Sequence, residues 1–160
     1  MRRETALLLG FLTVTVGTSA VLWSFAMPNF KPLTIPEMTS GVISVGPMRR
    51  QRALSAAEIH TLNDWLQHHR AVWGPLGQTP PSSGDATITL TANRPVGADG
   101  KPVPYSMTLW TGISAADWNN TVFLEDRPGA VIRVHQFSEA DFAALRQLVD
   151  QHPYERTAFP

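Results

Sequence analysis

Ala86-Thr87-Ile88-Thr89-Leu90-Thr91-Ala92 alternates hydroxyl and apolar side chains without a break. A period of two puts Ile88 and Leu90 on one face of an extended strand and the three threonines on the other. Tyr105–Trp110 repeats the pattern, with Tyr105, Met107 and Leu109 set against Ser106, Thr108 and Trp110. Thr121–Glu125 and Ala130–Phe137 are two further strand-like runs, joined by the turn-forming residues Asp126-Arg127-Pro128-Gly129. Gly97-Ala98-Asp99-Gly100 turns the first pair. Four adjacent strands with short connections predict an antiparallel meander with one polar face and one apolar face.

On either side of these strands the period lengthens. Ser55-Ala56-Ala57-Glu58 has the spacing of a helix-capping box, with Leu54 and Ile59 placed to staple it. Ile59, Leu62, Trp65, Leu66, His69, Val72 and Trp73 then follow at helical spacing and share one face, until Gly74-Pro75 stops the helix. A second helix begins at Ser138-Glu139-Ala140-Asp141, buries Phe142, Leu145, Leu148 and Val149, and ends before Pro153. The expected fold is therefore α+β: an α-β-β-β-β-α two-layer domain over residues 54–152, followed by a tail at 153–160.

Residues 28–53 carry Pro28, Pro32, Pro36 and Pro47 with Gly41 and Gly46, a spacing that predicts an extended proline-rich tether. Gly41–Val45 adds at most a short edge strand to that reading. Before the tether, Ala6–Met27 is an uncharged stretch of 22 residues preceded by Arg2 and Arg3. At about 1.5 Å per residue it is long enough to cross a hydrocarbon core of about 30 Å. The arginines place the N-terminus in the cytoplasm. Its length exceeds a signal-peptide core of about 7–15 residues, so residues 1–27 read as a retained signal-anchor rather than a cleaved signal. The bilayer is then the partner of residues 6–27.

The chain has no cysteine, which removes disulfides, thiolate metal sites and thiol catalysis together. Beyond residue 27, eleven basic residues face twelve acidic ones, so no basic field invites nucleic acid. Eleven arginines against two lysines point to a GC-rich bacterial genome, and so to an inner-membrane protein with its domain in the periplasm.

Chemistry-bearing motifs are sparse. His60, Asp64 and His68 stand at four-residue intervals, a spacing at which neighbouring side chains can share a metal ion. Without a third ligand the stripe reads as a solvated helix face, and neither metal nor cofactor is expected. His69 lies inside the apolar arc, in a last helical turn where an imidazole can cap carbonyls. No serine lies in G-x-S-x-G and no phosphate-binding glycine loop occurs. The expectation is a non-enzymatic accessory or assembly subunit that works by contact in a larger envelope complex. A periplasmic module for a small ligand is the alternative, with a histidine-dependent or metal-assisted enzyme behind it. The candidate partner-binding residues are Trp110 and Trp118, with Pro75 and Pro80 in the loop Gly74–Gly84.

Overall fold

The structure is a computed structural model that describes residues 3–30, 33–46, 48–73, 80, 82, 84–93, 102–112 and 118–151, with side chains of the first stretch to residue 27. Pro75, the turn at 97–100, residues 113–117, His152, Pro153 and the tail at 153–160 lie outside the described residues. The chain forms two compact units, Met1–Lys31 and Pro32–Pro160.

The first unit is a helix, α1 (Arg3–Phe30). Its stretch Arg3–Met27 is 25 residues long, apolar enough to cross a membrane, and has none of its residues buried. Leu7, Phe11 and Phe25 are 75%, 74% and 76% exposed, and Val14, Val16, Leu22 and Trp23 are exposed on other sides. Three of its hydroxyls bond back to the helix's own carbonyls. Thr13 donates to the Leu9 carbonyl at 2.8 Å, Thr15 to Phe11 at 2.9 Å and Ser24 to Val21 at 2.7 Å. A hydroxyl that bonds back in this way leaves no unmet donor, which lowers the cost of placing it in an apolar surrounding.

The second unit is mixed α+β, with the elements β1 (Met38–Val45), β2 (Arg50–Ala53), α2 (Ala56–His68), β3 (Ala86–Ala92), β4 (Pro104–Trp110), β5 (Thr121–Glu125), β6 (Arg133–Gln136) and α3 (Glu139–Asp150). The expectation of four strands is corrected. The sheet has six, in the order β2-β1-β3-β4-β5-β6, with every neighbouring pair antiparallel. The four strands read from period-two alternation are β3 to β6. The two additional strands come from the segment expected to be a proline-rich tether, and β1 is an interior strand rather than an edge.

Side-chain bonds and packing explain why residues 33–53 belong to the fold. Asn63 of α2 accepts from Met38 N at 2.8 Å and donates to Met38 O at 2.9 Å, taking the place of a neighbouring strand. Gln67 donates to the Ile35 carbonyl at 3.0 Å, and the buried Tyr105 hydroxyl donates to Thr34 O at 2.9 Å. Ile35 and Met38 are buried at 8% and 2% exposure. Gly41 is part of the same packing. A Cβ there would stand 2.7 Å from Leu90 Cδ2 and 3.0 Å from Leu54 Cδ1. The glycine that reads as a chain breaker is instead the point where helix-layer side chains close onto the sheet.

Register aligns the core in rows. Ile43, Ile88, Met107 and Leu124 are successive partners across four strands, as are Val45, Ala86, Leu109 and Val122. These side chains join Leu62, Trp65 and Leu66 of α2 and Phe142, Leu145 and Leu148 of α3 in one cluster, so both helices cover the same face. The capping box of α2 is formed in both directions between Ser55 and Glu58. This helix ends a turn earlier than its apolar spacing suggests. His69 directs both its backbone N–H and its ring Nδ1 to the Trp65 carbonyl, and the chain turns so that Trp73 still reaches the core. The edge strands β2 and β6 are four residues each and carry Arg50, Arg52 and Arg133, features that blunt edge-to-edge pairing.

Candidate functional site

Three places on the domain gather polar or aromatic side chains. The first is the sheet face opposite the helices. Ser40, Ser44, Thr87, Thr89, Thr91, Ser106 and Thr108 share it by register, with Val42 among them at 40% exposure. An antiparallel sheet tolerates water on one face, and hydroxyl side chains suit that role. Toward the β4–β5 end the surface becomes aromatic. Trp110 and Trp118 rings lie 6.2 Å apart, and Trp118 lies 5.4 Å from Phe123.

Trp110 is expected from its register to stand out as an anchor, but it is only 4% exposed. Trp118 packs beside it, and Gly84 approaches so closely that a Cβ would sit 3.2 Å from the indole Nε1 and 2.6 Å from Leu109 O. Gly84 has φ +65, which also requires glycine there. Trp118 and Pro80 are half-buried. The aromatic corner is thus a second small core on that side of the sheet, with Trp118 as its outer member.

The second place is a polar network at the same end of the sheet. Asp85 is buried, and its Oδ2 accepts from the backbone N of Thr111 at 2.7 Å and from its hydroxyl at 2.8 Å. Arg146 of α3 donates to Thr111 O at 3.3 Å and to Asn120 Oδ1, and its Nε lies 3.3 Å from Glu139. Asn120 donates back to Glu139 at 2.8 Å. Asn120 has φ +53, so its backbone is held in a left-handed turn while its side chain serves the network. Each residue in this network bonds to another member, although the buried Arg146 Nε makes no hydrogen bond of its own, and the network pins the ends of the β4–β5 connection to α3.

Histidine chemistry lies elsewhere, where α2, β6 and α3 meet. His69 Nε2 stands 3.6 Å from Asp141 Oδ1, with the two side chains 17% and 54% exposed. Its ring lies 4.6 Å from Trp65 and 5.2 Å from Phe137. From β6, His135 lies 4.6 Å from Phe137. Burial, followed by the charge of His69, lowers the pKa of His135 below its ordinary 6.5, while Asp141 acts in the opposite direction. The Asp141 carboxyl is held below its ordinary range first by the Ser138 hydroxyl and then by His69 and His135. Trp65 Nε1 donates to the Asp141 carbonyl at 2.6 Å, so a residue of α2 and its C-terminal cap, His69, both meet Asp141.

This corner contains a serine, a carboxylate and an imidazole, but in an order that does not activate the serine. Ser138 donates to Asp141 Oδ2 at 2.7 Å and accepts from Asp141 N at 3.1 Å, as a helix cap does. The imidazole touches the carboxylate, not the hydroxyl, whereas an activated nucleophile needs base and hydroxyl in contact. On the outer face of α2, His60 Nδ1 meets Asp64 at 3.0 Å, while His68 Nδ1 turns to the Asp64 carbonyl at 2.7 Å. Among the described residues, no group of three His, Asp or Glu side chains is arranged to hold a metal ion. A shallow open depression at the end of the same helix is lined by Gln67, His68, Arg70 and Ala71.

The sequence singles out His69, and Asp141 only as part of a helix start; it does not point to His135, Asp85 or Arg146. Only alternation on β6 hints that His135 shares a face with Val122's partners, and nothing local ties that strand to α2. No protein-family model, curated protein or solved structure matches this chain.

Proposed function

We propose that this protein is held in a bacterial inner membrane by α1 and presents its α+β domain on the periplasmic side, acting by contact as an accessory or assembly subunit of a larger membrane complex. The observation that carries this reading is α1 itself: a 25-residue stretch apolar enough to cross a membrane, none of whose residues is buried. At about 1.5 Å per residue the stretch spans roughly 37 Å, enough for a hydrocarbon core of about 30 Å with some tilt. An apolar surface this continuous far exceeds the few hundred Å² that soluble monomers leave in water. Arg2 and Arg3 stand at its N-terminal end, and the positive-inside rule sets the orientation.

By contrast, the large apolar side chains exposed on the described part of the domain are scattered: Val42, Met48 and Val131. Contact with a partner therefore belongs first to the span, where Gly10, Thr13 and Gly17 offer a closely approachable surface. In support of a role without catalysis, Ser138 serves as a helix cap and the described polar clusters bond among themselves. The test is purification of the intact chain from native membranes in mild detergent, beside a variant whose residues 6–27 are replaced by an unrelated span of equal length. The expected result is a partner recovered at fixed stoichiometry with the native chain and lost with the exchanged span. A native chain that purifies as a lone monomer contradicts the proposal.

A further inference from the structure

Between Glu37 and Glu58 the chain carries no acid and three arginines, Arg49, Arg50 and Arg52. All three belong to the β1–β2 hairpin, so positive charge gathers along one edge of the sheet. At the other edge Glu125 and Asp126 offset Arg127 and Arg133. Within the hairpin the three guanidiniums differ. Arg52 is neutralised by Glu58 at 2.7 Å. Arg49 turns back and donates to the Gly84 carbonyl at 3.1 Å. Arg50 is exposed and, among the described residues, forms no ion pair.

The apex of the hairpin sets an apolar side chain amid this charge. Strand pairing runs up to Val45 and Arg50, and Arg49 N donates to Gly46 O at 3.1 Å to close the turn. Gly46 N donates to the Asp85 carbonyl at 3.0 Å, so this bond and that of Arg49 fasten the turn to the residues before β3. Arg49 has φ +47, a region that side chains other than glycine, asparagine and aspartate rarely enter. Met48, inside this fixed turn, is 75% exposed, against 40% for Val42 and 46% for Val131. A lone apolar side chain in water is ordinary, but this one is held at an apex beside a guanidinium that no acid offsets. That pairing matches a phospholipid surface, where a thioether enters the acyl boundary and an arginine donates to headgroup phosphate.

We propose that the β1–β2 apex docks on anionic phospholipids of the bilayer that α1 crosses, with Met48 in the interface and Arg50 on a headgroup phosphate. This docking rests on α1 being a span. A weak contact suffices, because binding by a tethered domain is intramolecular. An arginine near an anionic surface raises the docked population about fivefold. Added salt screens the attraction.

The methionines supply the probes. The intact chain, labelled at its methionine methyls, is placed in nanodiscs carrying a paramagnetic headgroup label, made of phosphatidylcholine alone or with phosphatidylglycerol added. Met27 reports on the span, the buried Met107 on the core and Met48 on the apex. Met27 is expected to be relaxed in both discs. Met48 is expected to relax about fivefold faster in the anionic discs and to return to the phosphatidylcholine rate in Arg50→Gln, with the Met107 shift unchanged as the sign of an intact fold. Equal relaxation of Met48 in the two lipids overturns the docking, as does an enhancement that survives Arg50→Gln. Met48 unrelaxed beside a relaxed Met27 overturns the docking alone. Met27 unrelaxed in both discs overturns the membrane reading and the docking with it.

Discussion

Glu58 makes its contribution through two partners, one visible in the sequence and one not. The capping box with Ser55 is apparent from a three-residue spacing. Arg52 is not, yet it grips Glu58 with both terminal nitrogens at 3.0 and 2.7 Å and donates onward to the Leu148 carbonyl at 3.3 Å. The Arg52 hydrogen bond, with help from Ser55, holds the Glu58 carboxyl at about 2, against an ordinary 4.5. A carboxyl lowered in this way stabilises the fold fully above pH 4.5, and the gain is lost as pH falls toward 2. Glu58→Gln is expected to cost about 2 kcal/mol at pH 7, measured by denaturant unfolding, with the difference from the native chain vanishing toward pH 2. A constant difference across that range contradicts the assignment. Asn63 works in the same hidden way. Asn63→Ala removes both bonds to Met38 and leaves buried backbone groups unmet, so unfolding is expected to come earlier by about 1–3 kcal/mol. Local spacing makes caps legible, whereas Arg52, Asn63, His135 and Asp141 act across separations that no local pattern encodes.

Among the elements, β3 to β6 and both domain helices declare themselves by period. Alternation of Ile88 and Leu90 with threonines, and the stripe through Leu62, Trp65 and Leu66, are statements about one face that survive in the structure. The first two strands do not declare themselves, because Pro36, Gly41 and Pro47 speak for a connector and β1 has small residues where alternation should be strongest. The reason is packing: Gly41 lies opposite Leu90, with the Leu54 and Ile59 side chains closing over it. Gly41→Val should therefore destabilise the domain by about 1–3 kcal/mol despite valine's strand preference, read as a lowered thermal midpoint. A midpoint that rises would mean that β1 is not packed beneath the helix layer. The aromatic corner follows the same logic. Register places Trp110 on the open face, but Gly84 and Trp118 pack against it, a contact that alternation within one strand does not encode.

For the molecule as a whole, the chain divides into an apolar helix that buries nothing and a domain that buries its apolar side chains well. That contrast is legible from the first thirty residues, because an uncharged run of this length behind an arginine pair has few other physical explanations. The boundary was harder to place. The folded unit begins near Pro32 rather than near Ala53, so the connector read from the proline spacing is largely part of the domain. The account rests most heavily on α1 staying attached, since a discarded leader could neither anchor the domain nor meet a partner in the bilayer. The decisive measurement is the intact mass of the mature protein recovered from carbonate-washed membranes of its native host. The account predicts a membrane-retained species with residues 6–27 still present. A soluble species shortened by roughly the 15–30 residues of a cleaved signal peptide would contradict it.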